Sequence, residues 1–340
     1  MAEFTVRPIA AEEKEEWDAF VAESAQSTVF HYYDWLRCAE EESGYRLEAL
    51  KVEQNGDRFA GIFPLFVKRN KGINLVVSPP PGCAIPHLGP LFHFKSENQY
   101  CIESEYRKLV STLSYYIKHK LRADYQRFTL PPSVIDVRPF IWDGYDASPL
   151  YTYKLNLEVT EEELLADFDK RIRSRVKKFQ KKYNHTEMRT EGFSEIVDAV
   201  KSRYQQKGRK HETSKTYFQQ LIESLTSNIR AYSIYDGDHY ISGILTLHHQ
   251  NMVQVWIGGT NPDKKYDGVN EFLHWSLIQK LKKDGVKWYE RIGANTPHLC
   301  ENKSKYNFRP VQYYKLEKKN RKARVAEYIA QKIGIRGSDI

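Results

Sequence analysis

Two stretches far apart in the chain follow one plan: "NGDRFAGIFPL" at 55–65 and "DGDHYISGILTL" at 236–247. In each, a turn pair (Asn55-Gly56, Asp236-Gly237) is followed by an aromatic, a glycine (Gly61, Gly243) and an apolar tail, with one residue inserted in the second copy. Asn-Gly and Asp-Gly between apolar runs are strong hairpin signals, because these residues adopt the backbone angles of tight hairpin turns at little cost. A hairpin that recurs in both halves predicts an internal duplication, two copies of one mixed α/β (α+β) unit.

The flanking segments fit that reading. Trp17, Phe20 and Val21 make a helical stripe, and Asp34 is placed to cap a helix over 35–42 that ends near Gly44. "RLEALKVEQ", "RFAGIFPLFVKR" and "INLVVSP" read as strands, prolines 79–81 force an irregular stretch, and a helix follows over 102–121. The second half gives "IRAYSIY", "HYISGILTLHH" and "MVQVWIGG" as strands, then a helix from about Asn270 to Lys283 and the strand "VKWYERIGA". Turn formers in "DGYDASPLY" put the link between halves near 143–152. The expected domains are 1–150, 151–317 and a basic C-terminal tail, 318–340.

Composition excludes some classes. Hydrophobic residues make up 41% and aromatics 13%, which argues against disorder. The cysteines (38, 83, 101, 300) are scattered without a Cys-x-x-Cys pair, so packed thiols are expected and no metal site. His248 and His249 are adjacent on a strand and point to opposite faces, which suits no common metal. The N-terminal segment turns acidic where a signal peptide would be apolar, and no run is long enough to span a membrane, so a cytoplasmic location is expected. No His-Glu-x-x-His, Walker-type loop or Gly-x-Ser-x-Gly is present.

The net charge of +8 favours anionic partners, and its distribution is uneven. Between Lys170 and Lys182 stand eight cations without a carboxylate. Leu164, Leu165, Phe168, Ile172, Val176, Phe179 and Tyr183 recur every three or four residues, so a helix over 164–183 docks this stripe on a core and turns its cations outward. A merely solvated face usually mixes signs. This one asks for an anion, and Arg173, Arg175 and Lys178 are the candidates to bind it. Downstream, a strand ends at Gly258-Gly259 and Gly268 precedes a helix. That layout lets helix N-terminal amides hold a phosphate or acyl oxygen. The turn Lys265-Tyr-Asp-Gly268-Val-Asn270 is similar to the coenzyme A turn of GNAT acetyltransferases, with Asn270 in place of a small residue.

Taken in order, "FHYYDWLRCAEEESGY", "GIFPLF…SPPPG…HLGPLF", "YTYKLNL", "RIRSRVKKFQKK", "VWIGGTNP", "GVNEFLHWSLIQKLKKDGVKWYERIGA" and "NKSKYNFRP" resemble the FemAB-like family over roughly 25–315. The resemblance implies two tandem GNAT-like domains, each a mostly antiparallel twisted sheet flanked by helices, with the first on the acceptor side. It implies transfer of an aminoacyl or acyl group to a small amine or peptide, peptidoglycan precursor being one such acceptor. The donor would be aminoacyl-tRNA or acyl-CoA, with acidic acyl-carrier protein a further choice, and no tightly bound cofactor. Lys303 looks like the family's lysine near the acyl carbonyl, although the family's neighbouring Phe and Gly are absent here. Lys303 and Tyr306 are the candidate catalytic residues. Arg37, Arg209, Gly259 and Gly268 join the basic helix as candidate substrate contacts. Two rival readings stay open: a non-catalytic RNA-binding protein and a degenerate transferase-like protein.

Overall fold

Asn55 and Gly56 both take positive φ, 57° and 92°, as a tight hairpin turn demands. The second hairpin closes one residue later than expected: Asp236 pairs with His239, leaving Gly237 and Asp238 as the loop. The computed structural model describes residues 3–56, 58–94, 96–208, 213–263 and 266–332.

The first part of the chain runs β1 (Phe4–Pro8), α1 (Lys14–Glu23), α2 (Tyr33–Ser43), β2 (Arg46–Gln54), β3 (Arg58–Asn70), β4 (Ile73–Ser78), β5 (Leu91–Phe92), α3 (Gln99–His119), β6 (Tyr125–Thr129) and α4 (Arg138–Trp142). Next come β7 (Asp146–Asn156), α5 (Glu161–Asp167), α6 (Lys170–Lys182), β8 (Thr186–Arg189), α7 (Phe193–Gln206), α8 (Lys215–Ser224), β9 (Ile229–Asp236) and β10 (His239–His249). The last elements are β11 (Met252–Thr260), α9 (Val269–Lys283), β12 (Trp288–Arg291), α10 (Pro297–Ser304), β13 (Arg309–Lys319) and α11 (Arg321–Lys332).

The chain divides into two compact units, 1–150 with 313–340, and 151–312. The first unit's strand order is β1-β2-β3-β4-β6-β13, with β5 beside β3, and the second's is β8-β9-β10-β11-β12-β7. Within each, every neighbouring pair is antiparallel except one, β4–β6 in the first and β11–β12 in the second. Both repeated hairpins carry a bulge just after the aromatic of the shared motif, between Phe59 and Gly61 and between Tyr240 and Ser242. The duplication read from sequence is thus present in topology and in local irregularity.

Two boundaries differ from expectation. Residues 315–319 of β13 pair with β6, and Leu316 is fully buried in the first unit's core, so the C-terminal segment is a strand and helix of that unit, not a tail starting at 318. The stretch expected as one helix over 164–183 is two helices. Asp169 breaks it, its carboxylate accepting from the Arg171 N–H at 2.8 Å as an N-cap while its own N–H donates to the Lys305 carbonyl. Ile172, Val176 and Phe179 are buried as the periodicity demands, against Leu273, Trp275 and Ile278 of α9 among others.

Candidate functional site

β11 and β12 run side by side for four pairs, Met252 with Trp288 through Val255 with Arg291, and then β12 ends while β11 continues to Thr260. The β11 edge beyond Val255 has no strand partner on that side among the described residues, so the sheet opens there. β12 is fixed up to that point by Glu290, fully buried, which accepts from Thr152 of β7 at 2.7 Å and Gln254 of β11 at 3.0 Å. A cleft of about 520 Å³ fills the opening, lined among others by Arg175, Arg203, Gly258, Gly268, Glu271, His274, Arg291 and Tyr306.

α9 starts at the cleft on Gly268, whose φ of +88° suits glycine, and whose added Cβ would lie 3.0 Å from the Arg175 carbonyl of α6. Gly268 brings no side-chain cap, and the Val269 N–H donates to the Tyr266 carbonyl at 3.2 Å, so of the first-turn amides, at the positive end of the helix dipole, those of Asn270 and Glu271 lack an intrahelical acceptor and face a ligand or solvent. Asn270 does not lie over them in a bond of its own. Its Oδ1 accepts from Ser242 at 3.0 Å and Thr260 at 3.2 Å, tying α9 to β10 and β11.

Arg291 sits on the last rung of the parallel pair. Its guanidinium lies 5.1 Å from the Tyr306 ring centroid and 5.9 Å from that of Phe308, and its Nη1 is buried without a hydrogen-bond partner among the described residues. An orphaned, buried guanidinium nitrogen is costly unless something else bonds it. The charge acts on its neighbours. His274, buried and sharing a 2.6 Å hydrogen bond between Nδ1 and the Tyr289 hydroxyl, is held well below the usual histidine range by burial and by the nearby Arg291 and Lys303. Burial raises the Tyr306 hydroxyl above the usual tyrosine range, so it keeps its proton at neutral pH.

Arg175 reaches across from α6, donating to Glu271 at 2.7 Å, and borders both this cleft and a neighbouring groove of about 440 Å³. Lys170, Arg171, Ser174, Lys178 and Lys305 line that groove, with Asp267 and Glu271 as its acids. Of the three expected anion-binding cations, Arg175 and Lys178 are therefore at a cavity. Arg173 lines neither of these two, and donates to the Ala166 carbonyl at 3.2 Å.

Lys303 lies beside the cleft but does not line it. It is buried, and its ammonium donates to the carbonyls of Ile292 at 2.6 Å, Arg291 at 3.3 Å and Gly293. All three N–H groups are engaged in clamping the chain just after β12. Burial, then the Arg291 charge, lowers its pKa to about 8. Tyr306 is at the cleft as expected. Gly259 faces the other way, its absent Cβ leaving room for the Ile196 carbonyl of α7 at 2.6 Å, while Gly258 lines the cleft. Arg37 lies on α2 of the first unit, paired with Glu40. Arg209, and Lys265 of the turn before α9, lie outside the described residues. Arg203, Glu271, His274 and Arg291 were not singled out from sequence. The one available signal was a charged pair, Glu290-Arg291, at the end of the strand "WYER".

Residues 166–298 match the family described as Acetyltransferase (GNAT) domain. FemX superposes with a TM-score of 0.67 at 12% identity, covering 91% of this chain and 96% of that one. The C-terminal domain of a putative lysylphosphatidylglycerol synthetase from Agrobacterium fabrum gives 0.55 at 10%, covering 94% and 96%. A tandem GNAT protein from the clavulanic acid biosynthesis pathway gives 0.52 at 13%, covering 94% and 98%. No curated protein sequence gives a significant match. The chain therefore has a GNAT-type acyltransferase fold in two tandem units. Within that class its architecture is similar to that of FemX, the arrangement implied by the FemAB-like resemblance.

Proposed function

We propose that this chain is an acyltransferase that moves an aminoacyl or acyl group from a phosphate-bearing donor to an amine, with the donor held by the second unit. The observation that carries the reading is the cleft where β11 and β12 part, bounded by Arg291 with its orphaned nitrogen and by the uncapped start of α9. A donor carbonyl laid along the free β11 edge meets backbone groups that no strand occupies. The neutral amine attacks that carbonyl carbon, a C–N bond forms, and the C–O or C–S bond to the donor breaks. The amine nitrogen gives up a proton and the departing oxygen or sulfur takes one. Tyr306, kept protonated by burial, is the group suited to supply it. Arg291 stabilises the oxyanion or the leaving group.

Aminoacyl-tRNA is the first choice of donor. The groove beside Arg175 extends the cationic surface through Lys170, Arg171, Lys178 and Lys305, further than a single pyrophosphate requires. One structural neighbour is described as a putative lysylphosphatidylglycerol synthetase, in keeping with an aminoacyl group as cargo. Acyl-CoA is the second choice, favoured by Gly268 at the start of α9. The engaged ammonium of Lys303 supports a positioning role for it, holding the backbone after Arg291. The deciding assay follows transfer of labelled amino acid from aminoacyl-tRNA, and of labelled acetyl from acetyl-CoA, to a panel of amines. Turnover with either donor, lost in Arg291→Ala and retained in part in Lys303→Met, is the expected result. Absence of both turnover and salt-dependent donor binding would return the chain to the degenerate reading.

A further inference from the structure

The C-terminal helix is built inside out. Its inward positions carry alanines: Ala323 and Ala330 are 7% and 8% exposed, and Ala326 is half-buried. Its large apolar residues face solvent, with Val325 58%, Tyr328 58% and Ile329 53% exposed. At about 3.6 residues per turn, 325, 328 and 329 share one sector and 323, 326, 327 and 330 the opposite one. What holds α11 to its unit is polar. Asn320 Oδ1 accepts from the Ala323 N–H at 2.9 Å, Lys322 bonds Asp124 at 3.0 Å and the Gly72 carbonyl at 2.6 Å, and Lys319 pairs with Glu327 at 2.7 Å. Beneath it a cavity of about 130 Å³ remains, lined by Ile73, Leu75, Val77, Ala323 and Ala326 among others.

We infer that α11 is a docking face for an anionic lipid surface. The outward sector that bears Val325, Tyr328 and Ile329 also bears Arg321, Arg324 and Lys332, none of them paired with a carboxylate among the described residues. The acid of the described helix, Glu327, turns inward to Lys319. Apolar side chains among cations, with a tyrosine and no outward acid, are what a helix lying in a headgroup layer presents. The apolar groups enter the acyl boundary and the long cations reach back to phosphates. Tyr328 suits the interface itself, and the Lys332 ammonium already lies 4.9 Å from its ring centroid. A second copy of the chain would set these cations against their own counterparts, and a nucleic acid strand has no use for Val325 and Ile329. Among the described residues no helix is long and apolar enough to cross a membrane, so the contact is peripheral. The inference does not depend on the donor reading.

The test is flotation of the full chain with vesicles of phosphatidylcholine alone and of phosphatidylcholine mixed with phosphatidylglycerol. Binding to the mixed vesicles only is expected, weakening as salt rises. The variant V325S/Y328S/I329S should bind at least about tenfold more weakly, and each of R321Q, R324Q and K332Q should cost roughly fivefold. Because all these side chains face solvent, an unchanged thermal melt shows that the variants are folded. The charge variants give a second route should the serine variant melt early. A wild-type chain that ignores the mixed vesicles, or a serine variant that binds as tightly as wild type, overturns the inference. So does a dimer in sedimentation that the serine variant abolishes, which would assign the face to a second copy.

Discussion

In the first unit the parallel pair β4–β6 runs from Leu75 opposite Tyr125 to Ser78 opposite Phe128; in the second, β11–β12 runs from Met252 opposite Trp288 to Val255 opposite Arg291. The ladders are equally long and end differently. After Ser78 the prolines carry the first chain away, and the returning segment fills the gap. Leu88 donates to the Thr129 carbonyl at 2.8 Å, and Gly89 is packed so closely that an added Cβ would lie 2.8 Å from Leu130. Phe128 on the last rung is fully buried. In the second unit β11 runs on past Arg291 paired with β10 but without β12 on its other side, and a cleft stands where the first unit has core. The helices that follow differ in the same sense. α3 is capped by Asn98, whose Oδ1 accepts from the Tyr100 and Cys101 N–H groups at 3.0 and 3.3 Å, whereas α9 begins on a glycine. One topology thus ends as a packed body or as an open cleft, according to the residue on the last rung and the residue before the helix.

The sharpest way to break this contrast is to give the second unit the first unit's rung. Arg291→Phe removes the cation and the orphaned nitrogen and adds apolar volume beside Tyr306 and Phe308. Transfer should fall by at least about 100-fold in kcat/KM, the scale of losing an oxyanion partner. Initial rates with the preferred donor measure it, with circular dichroism as the check on folding. A variant that kept wild-type rates would detach Arg291 from the chemistry and leave the cleft as mere space.

How much of this was legible beforehand divides along the same line. The hairpins, α9 and the docked face of α6 follow from turn residues and periodicity, which are local. The last rung does not. Arg291 in "WYER" reads like any polar residue at a strand end, and only the register against Val255 shows that β12 stops there. Lys303 in "NKSKYN" resembles a lysine set near an acyl carbonyl, because nothing local reveals that three carbonyls converge on its ammonium. The strand "VQYYKLEKK" states its period but not that its partner is β6, about 190 residues earlier in the chain. The break in the basic helix was hidden because Asp169 also fits a helical pattern, and its capping role depends on the Lys305 carbonyl that takes its N–H.

Acid should weaken the second unit by a smaller step. On β10, burial lowers His248 and His249 to about 4, so folded copies stay neutral where unfolded ones are protonated. Between about pH 6.5 and 4 the unfolded chain binds more protons, so stability rises with pH across that window and is lost as pH falls. By pH 5 the loss is about 2 kcal/mol per histidine. Denaturant melts at pH 7 and 5 measure it, and hydrogen exchange should show β9–β11 losing protection. Stability unchanged over that range would mean the two imidazoles titrate freely.

The two helix starts give the finest test, because each can be given the other's residue. Gly268→Asn supplies a side chain able to cap the α9 amides as Asn98 caps α3. It also strains a φ of +88° and crowds the Arg175 carbonyl, at a cost of about 1–2 kcal/mol. If those amides hold the donor's phosphate, KM for the donor should rise roughly tenfold with kcat little changed. Asn98→Ala makes the opposite change in the first unit. It exposes the first-turn amides of α3 and should cost about 1 kcal/mol in a denaturant melt, with transfer rates unaltered. The pair separates stability from binding. If Asn98→Ala also raised the donor's KM, both helix starts would be reading the donor, and the division of labour between a packed unit and an open one would have to be abandoned.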